Sequence, residues 1–203
     1  RTSIHFGVTY LMVGMFPTDT QKCVEFQEKL LREKLEFSDT HTDQREFALV
    51  RKEPSPLQIR ITSRGPQVLS LAIYAEGPQI GLDYFIQEAN AACEAYRSAW
   101  HPNAPCQILQ CHAMLRQLYS MDDHAFKYLW ETRFGQRPTD FHHLGKRPVL
   151  GGGLRLVMPP LQQEPDPAQI EVKIESFLQN SKQMFVETVF VWAKPRVLNV
   201  NEK

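Results

Sequence analysis

The sequence lacks most of the features that usually disclose a protein's chemistry. It has no excess of charge, because 23 Lys and Arg residues balance 23 Asp and Glu residues. A dedicated nucleic-acid-binding domain usually carries a basic excess, so this balance argues against one and leaves only a local basic patch open. The apolar runs are far too short to span a bilayer, so we predict no membrane-spanning helix.

Cysteine is also scarce, with four residues, Cys23, Cys93, Cys106 and Cys111. Their spacing lacks the paired CxxC pattern of zinc sites. Cys23 and Cys93 fall among apolar neighbours on predicted helices, and we expect both to be buried, reduced thiols. Free thiols are typical of a reducing compartment, which favours a cytoplasmic protein. The chain opens at Arg1 rather than methionine, which leaves room for a native N-terminal segment, including a cleaved signal.

No catalytic or cofactor motif of high specificity is present. Gly151, Gly152 and Gly153 lead into an apolar strand, so they lack the helix N-terminus that holds a phosphate, and we interpret them as a flexible strand entry or a bulge. Cys111 and His112 are adjacent on a predicted strand and face opposite ways, which argues against a nucleophile and base pair. The histidines show no metal-ligand spacing. We therefore predict no catalytic residue, no metal and no cofactor.

The composition is that of an ordinary folded protein, with 42% hydrophobic and 23% charged residues over 203 positions. This length suits one large domain whose core needs no disulfides. We predict a single α+β domain over 1–203, with topological halves at 1–104 and 105–203.

Hydrophobic periodicity divides the first half into regular elements. They are a strand at 4–16, an amphipathic helix to about residue 35, strands near 45–52, 57–63 and 67–75, and a long helix at about 80–100. The polar stretch 38–44 is predicted as a turn or loop. The buried side of the long helix is expected to consist of Leu82, Phe85, Ile86, Ala89, Cys93 and Tyr96.

The second half repeats the order of elements. Its predicted elements are a strand at 106–117, a helix that Asp122 caps and that reaches Phe134, an irregular segment at 135–150, and strands near 152–158, 169–178 and 183–193. Both halves thus show a β-α-β-β-β order, which predicts tandem units that form an antiparallel-rich sheet backed by helices. This plan is similar to that of TBP-like helix-backed sheet folds. The similarity is one of architecture alone and carries no functional residues onto this chain.

Two regions offer candidate binding residues. On the strand at 106–117, the side chains of Gln110, His112 and Arg116 form a mixed polar row opposite an apolar one, and Gln58, Arg60 and Thr62 form a similar row. The irregular segment 135–150 concentrates cationic and histidine side chains and is long for a compact domain, which is typical of lids, binding loops and disordered segments. A solubilising loop without a ligand is the competing interpretation. The candidate ligand-binding residues are Gln110, His112, Arg116, His142, His143, Lys146 and Arg147.

Three classes of function fit these observations. The favoured one is a non-enzymatic binding or assembly protein that uses a sheet face or an edge strand to contact a protein partner or a second copy of itself. The first alternative is a small-ligand-binding protein or enzyme with a pocket between sheet and helices, which includes His112, Arg116 and the segment 135–150. The second alternative is a nucleic-acid-binding module, which the net charge makes the least favoured.

Overall fold

The structure of the protein, a computed structural model, describes residues 1–16, 20–102, 104–137 and 149–198. The helices are α1 (Thr20–Arg32), α2 (Leu82–Trp100) and the short α3 (Ala125–Lys127), which continues into a π-helical turn, Tyr128–Arg133. The strands are β1 (Thr2–Val13), β2 (Asp39–Thr42), β3 (Glu46–Arg51), β4 (Leu57–Gly65), β5 (Val68–Glu76), β6 (Cys106–Ser120), β7 (Gly153–Met158), β8 (Gln169–Ser176), β9 (Gln183–Trp192) and β10 (Arg196–Leu198).

The described strands belong to one ten-stranded sheet in the order β2-β3-β4-β5-β1-β6-β9-β8-β7, and β10 pairs with β6. The strand registers are antiparallel. This confirms the predicted α+β class with an antiparallel sheet backed by helices. A true duplication of the two halves stays a prediction.

Contacts divide the chain into two compact units. The larger unit comprises His5–Ala113 and Val191–Lys203, and the smaller unit comprises Arg1–Ile4 and Met114–Phe190. The strands β1, β6 and β9 each contribute residues to both units. Whether the chain behaves as a single domain stays a prediction.

The core of the larger unit forms because its strands alternate between apolar and polar residues. On β4, Leu57, Ile59 and Ile61 are fully buried, whereas the residues between them are half-buried. The helix α1 contacts α2 and buries Cys23, Phe26 and Leu30, which share one face of the helix. Each large apolar side chain buried in this way contributes about 1.5–3 kcal/mol.

The helix α2 confirms part of its predicted buried side. Phe85, Ala89 and Tyr96 are buried, and the ring of Phe85 lies 5.5 Å from that of Phe6. Ile86, by contrast, is exposed, so its predicted burial is wrong. Ile86 follows Phe85 by about 100° around the helix axis, which turns it away from the buried stripe.

Leu82 is also exposed, which corrects the same prediction at the first residue of α2.

Among the described helices, none combines the length and apolar composition that a membrane-crossing helix needs.

Each of the four cysteines is a thiol rather than half of a disulfide, and their environments differ. Cys23 and Cys106 are buried, and Cys93 and Cys111 are half-buried. Burial raises the pKa of the Cys93 thiol to about 12, against the smaller lowering effect of its hydrogen bond with Tyr10. A thiol with so high a pKa carries little reactive thiolate near neutral pH.

The smaller unit departs from the predicted helix near residue 122. The helix begins at Ala125, and the side chain of His124 rather than Asp122 caps it by accepting a hydrogen bond from the Phe126 N–H. A π-helical turn follows, in which the Phe134 N–H donates to the Leu129 carbonyl at 3.0 Å. Stacked aromatic rings accompany this turn, since the centroids of Phe126 and Trp130 lie 6.0 Å apart.

Two short strands, β2 and β10, lie in segments where the sequence predicts no strand. The first, β2, has four exposed polar residues, so it shows none of the alternation by which a strand is recognised. A tight turn joins it to β3, in which Asp43 Oδ1 accepts hydrogen bonds from the N–H groups of Arg45 and Glu46 at 2.7 Å each. The second, β10, is three residues long and too short for a periodic signal.

Candidate functional site

The polar row of β4 exists in the larger unit as the sequence predicts. Gln58 and Arg60 are half-buried and alternate with the buried residues of the same strand. The Tyr74 hydroxyl donates a hydrogen bond to Gln58 Oε1 at 2.8 Å, and Arg60 Nη2 donates to the same oxygen at 3.2 Å. Burial raises the pKa of Tyr74, against a smaller lowering effect of the Arg60 charge. These hydrogen bonds join the three side chains, whereas Arg60 Nε is buried without a hydrogen-bond partner among the described residues.

The charge of Arg60 on this face is paired, and His5 makes a hydrogen bond nearby. Arg60 Nη1 lies 3.4 Å from Glu46 Oε1. His5 Nδ1 lies 2.8 Å from Glu76 Oε1, and the His5 ring stacks on Tyr74 with centroids 6.1 Å apart. An arginine that already has an anionic partner attracts an added anion weakly, so this face is a poor candidate for an anion-binding site.

The seven predicted site residues fall into three groups. Gln110, half-buried, and His112, exposed, lie on the part of β6 that belongs to the larger unit. Arg116 lies in the smaller unit, where its Nε is 2.6 Å from Glu187 Oε2. The other four, His142, His143, Lys146 and Arg147, lie outside the described residues. A binding role for the seven stays a prediction.

The larger unit also has an open cavity of about 450 Å³. Its lining residues are Val13, Gly14, Met15, Gln67, His101, Pro105, Gln107 and Val197. Burial, and to a lesser extent the charge of Lys22, lower the pKa of His101, so its imidazole is neutral at pH 7. The lining thus offers apolar surface with two amides and an uncharged imidazole, within the usual volume range of small-molecule sites.

The most unusual surface in the smaller unit is the strand β7. It stands at the end of the strand order and pairs with β8 alone among the described strands. Leu156, Val157 and Met158 are all exposed, although strands usually bury such residues. One edge of β7 therefore presents unpaired backbone donors and acceptors beside apolar side chains.

The two sides of the β7–β8 ribbon differ in chemistry. On one side, Leu154, Leu156 and Met158 stand opposite apolar residues of β8, in the pairs Leu154–Ile174, Leu156–Val172 and Met158–Ile170. The other side is charged, and Arg155 Nε lies 2.7 Å from Glu171 Oε1 across the two strands. On the apolar side, β7 extends an apolar surface to the edge of the sheet, where it meets solvent.

The strand at the opposite end of the order, β2, has the features of a protected edge. It is four residues long, polar and fully exposed, and it carries an ion pair between Asp39 and Lys52 with an N···O distance of 3.2 Å. Short, charged edge strands of this kind resist pairing with other chains. The contrast marks β7 as the edge that is open to another strand.

Comparisons with known proteins do not assign the site. No family model matches the chain, and no curated protein or solved structure matches it significantly. Within the described ranges, no group of three or more His, Cys, Asp and Glu side chains is placed to hold a metal ion.

The sequence predicts β7 as a strand, but its edge position depends on long-range pairing that periodicity does not encode.

Proposed function

We propose that this protein is a non-enzymatic binding or assembly protein that accepts an additional strand at the free edge of β7. The observation that carries this proposal is the exposure of three consecutive apolar residues, Leu156, Val157 and Met158, on a strand with one unpaired side. Natural proteins usually cover, charge or shorten such an edge. Apart from the ion-paired Arg155, β7 has none of these protections among the described residues, so its edge is suited to strand addition.

Strand addition supplies both affinity and specificity. The backbone N–H and C=O groups of β7 bind the incoming strand, and the apolar side chains select the residues opposite them. The Arg155–Glu171 ion pair leaves the charged side of β7 balanced, so the edge favours an apolar strand over a highly charged one.

The test is binding of a fluorescent peptide with the β7 sequence, GLRLVM, followed by anisotropy. We expect saturable binding to the full chain and at least a tenfold weaker affinity for Leu156→Lys, because a lysine places a charge on the apolar side of the edge. Ile86→Lys is the matched control, since Ile86 is 45% exposed and Leu156 is 43% exposed. Absence of peptide binding by a monomeric chain, or equal binding by Leu156→Lys, would contradict the proposal.

The alternative of a small-ligand-binding protein has one observation in its favour, which is the 450 Å³ cavity with a neutral His101. An occupant of this cavity would be an uncharged molecule with an apolar body and amide or hydroxyl groups. Native mass spectrometry that detects such a molecule bound to the purified chain would favour this alternative over the edge strand.

A further inference from the structure

We propose that the strand accepted by β7 is β7 of a second copy, so that two chains pair antiparallel across a two-fold axis beside Leu156. This inference rests on the proposed function, because it names the partner of the same edge. A two-fold interface requires a surface that is complementary to itself. The sequence of β7 and its register with β8 meet this requirement.

The register follows from the two sides of the strand. Residues that stand directly opposite each other in an antiparallel pair project to the same side of the sheet. If the two-fold axis passes beside a residue, rather than between two residues, the apolar sides of both copies therefore lie on the same side of the sheet. Centring on Leu156 places Leu156 opposite its own copy and Leu154 opposite Met158 of the second copy. Every pair on the apolar side is then apolar with apolar.

The neighbouring registers are less favourable. Centring on Val157 would pair only residues 156–158 of the strand, whereas centring on Leu156 pairs residues 154–158. Centring on Arg155 would place two arginines directly opposite each other, and like charges in that position are destabilising. Shifting the centre to fall between Arg155 and Leu156 would turn the apolar side of one copy to the charged side of the other. Centring on Leu156 instead places Arg155 opposite Val157 of the second copy, with the guanidinium still paired to Glu171.

The assembly should stop at two copies. Pairing of β7 of one copy with β2 of the next would repeat from chain to chain and form a filament. The strand β2 resists such pairing, because it is short and polar and carries Asp39, which is paired with Lys52. Pairing of β7 with β7 uses the same edge on both chains, so neither chain keeps a free β7 edge for a third copy. The geometry therefore favours a closed dimer.

Sedimentation equilibrium over a concentration series tests the partner. We expect a mass that approaches twice the 23.5 kDa of the chain as the concentration rises. Val157→Lys should raise the dissociation constant at least tenfold, because the added lysine brings a new charge to the pairing edge. Leu31→Lys is the matched control on α1, since Leu31 is 56% exposed and Val157 is 54% exposed.

Cysteine crosslinking tests the register. Leu156→Cys should form an interchain disulfide under mild oxidation, because the two copies of residue 156 stand directly opposite each other and a small local adjustment brings their Cβ atoms to disulfide distance. Leu154→Cys should crosslink far less, because it stands opposite Met158 of the second copy. The unsubstituted chain reports any crosslinking through its own four cysteines.

The outcomes separate this inference from the proposed function. A dimer that Val157→Lys dissociates and Leu156→Cys crosslinks supports both. A chain that stays monomeric at every concentration yet binds the GLRLVM peptide overturns the second copy as partner and keeps the edge as a strand acceptor. A monomer that does not bind the peptide overturns both. A dimer that is insensitive to Val157→Lys and not crosslinked at residue 156 uses another surface and overturns this inference.

Discussion

Arg51 and Glu88 place opposite charges inside the core of the larger unit, between β3 and α2. Their side chains are joined by two hydrogen bonds, Nη1 to Oε1 at 2.7 Å and Nη2 to Oε2 at 2.9 Å. Arg51 Nε also donates to the Ser55 carbonyl at 2.8 Å. A pair that is this well satisfied tolerates burial, but each partner is costly without the other.

Glu88→Ala should therefore be strongly destabilising, because it leaves the Arg51 guanidinium buried without its carboxylate. We expect a loss of about 3–5 kcal/mol in the free energy of unfolding, measured by urea denaturation. The double change Arg51→Met and Glu88→Leu should recover much of that loss, since it removes both charges. Lys52→Ala removes an exposed ion pair and should leave the urea midpoint nearly unchanged. A single Glu88→Ala variant as stable as the parent would contradict this account.

At the scale of elements, the sequence predicts individual strands better than it predicts which strands lie next to one another in the sheet. The alternation of Leu57, Ile59 and Ile61 is sufficient to predict β4. The prediction for the buried side of α2 is wrong at Ile86, which is exposed, and it omits Glu88, which is buried. Hydrophobicity alone gives no reason to bury a glutamate on this helix. The open edge of β7 depends on which strand lies last in the sheet, a property of long-range pairing.

The three glycines before and at the start of β7 show the same limit. The sequence predicts a flexible strand entry or a bulge here, whereas in the structure the glycines permit close packing. A Cβ at Gly152 would lie 2.8 Å from Phe126 Cε2, and the Gly152 N–H donates to Ser176 Oγ at 3.1 Å. The glycines therefore let this chain segment approach β8 and α3 closely.

Gly153→Ala should destabilise the fold by about 1–3 kcal/mol, because its Cβ would overlap the Ile174 carbonyl oxygen. That neighbour is backbone and cannot rotate away. Gly65→Ala is the matched control, since a Cβ there meets nothing within 4 Å and Gly65 also lies in a strand. Urea midpoints of the two variants measure the difference, and equal midpoints would show that β7 shifts to accommodate the methyl group.

At the scale of the whole molecule, the predicted single domain can be tested against the two compact units. The strands β1, β6 and β9 contribute residues to both units, so unfolding one unit would remove part of three strands that the other contains. We therefore expect the intact chain to unfold in one cooperative transition, as single domains usually do.

Phe85→Ala makes this expectation measurable. Phe85 is buried against Phe6 in the larger unit, and its truncation should cost about 3–5 kcal/mol. If unfolding is cooperative, calorimetry should show one transition with a Tm lowered by roughly 6–20 °C. Amide hydrogen exchange in β8, which belongs to the smaller unit, should accelerate in step, because its slowest amides exchange only through global unfolding. Two separated transitions, or unchanged exchange in β8 beside a lowered Tm, would instead show that the units unfold independently.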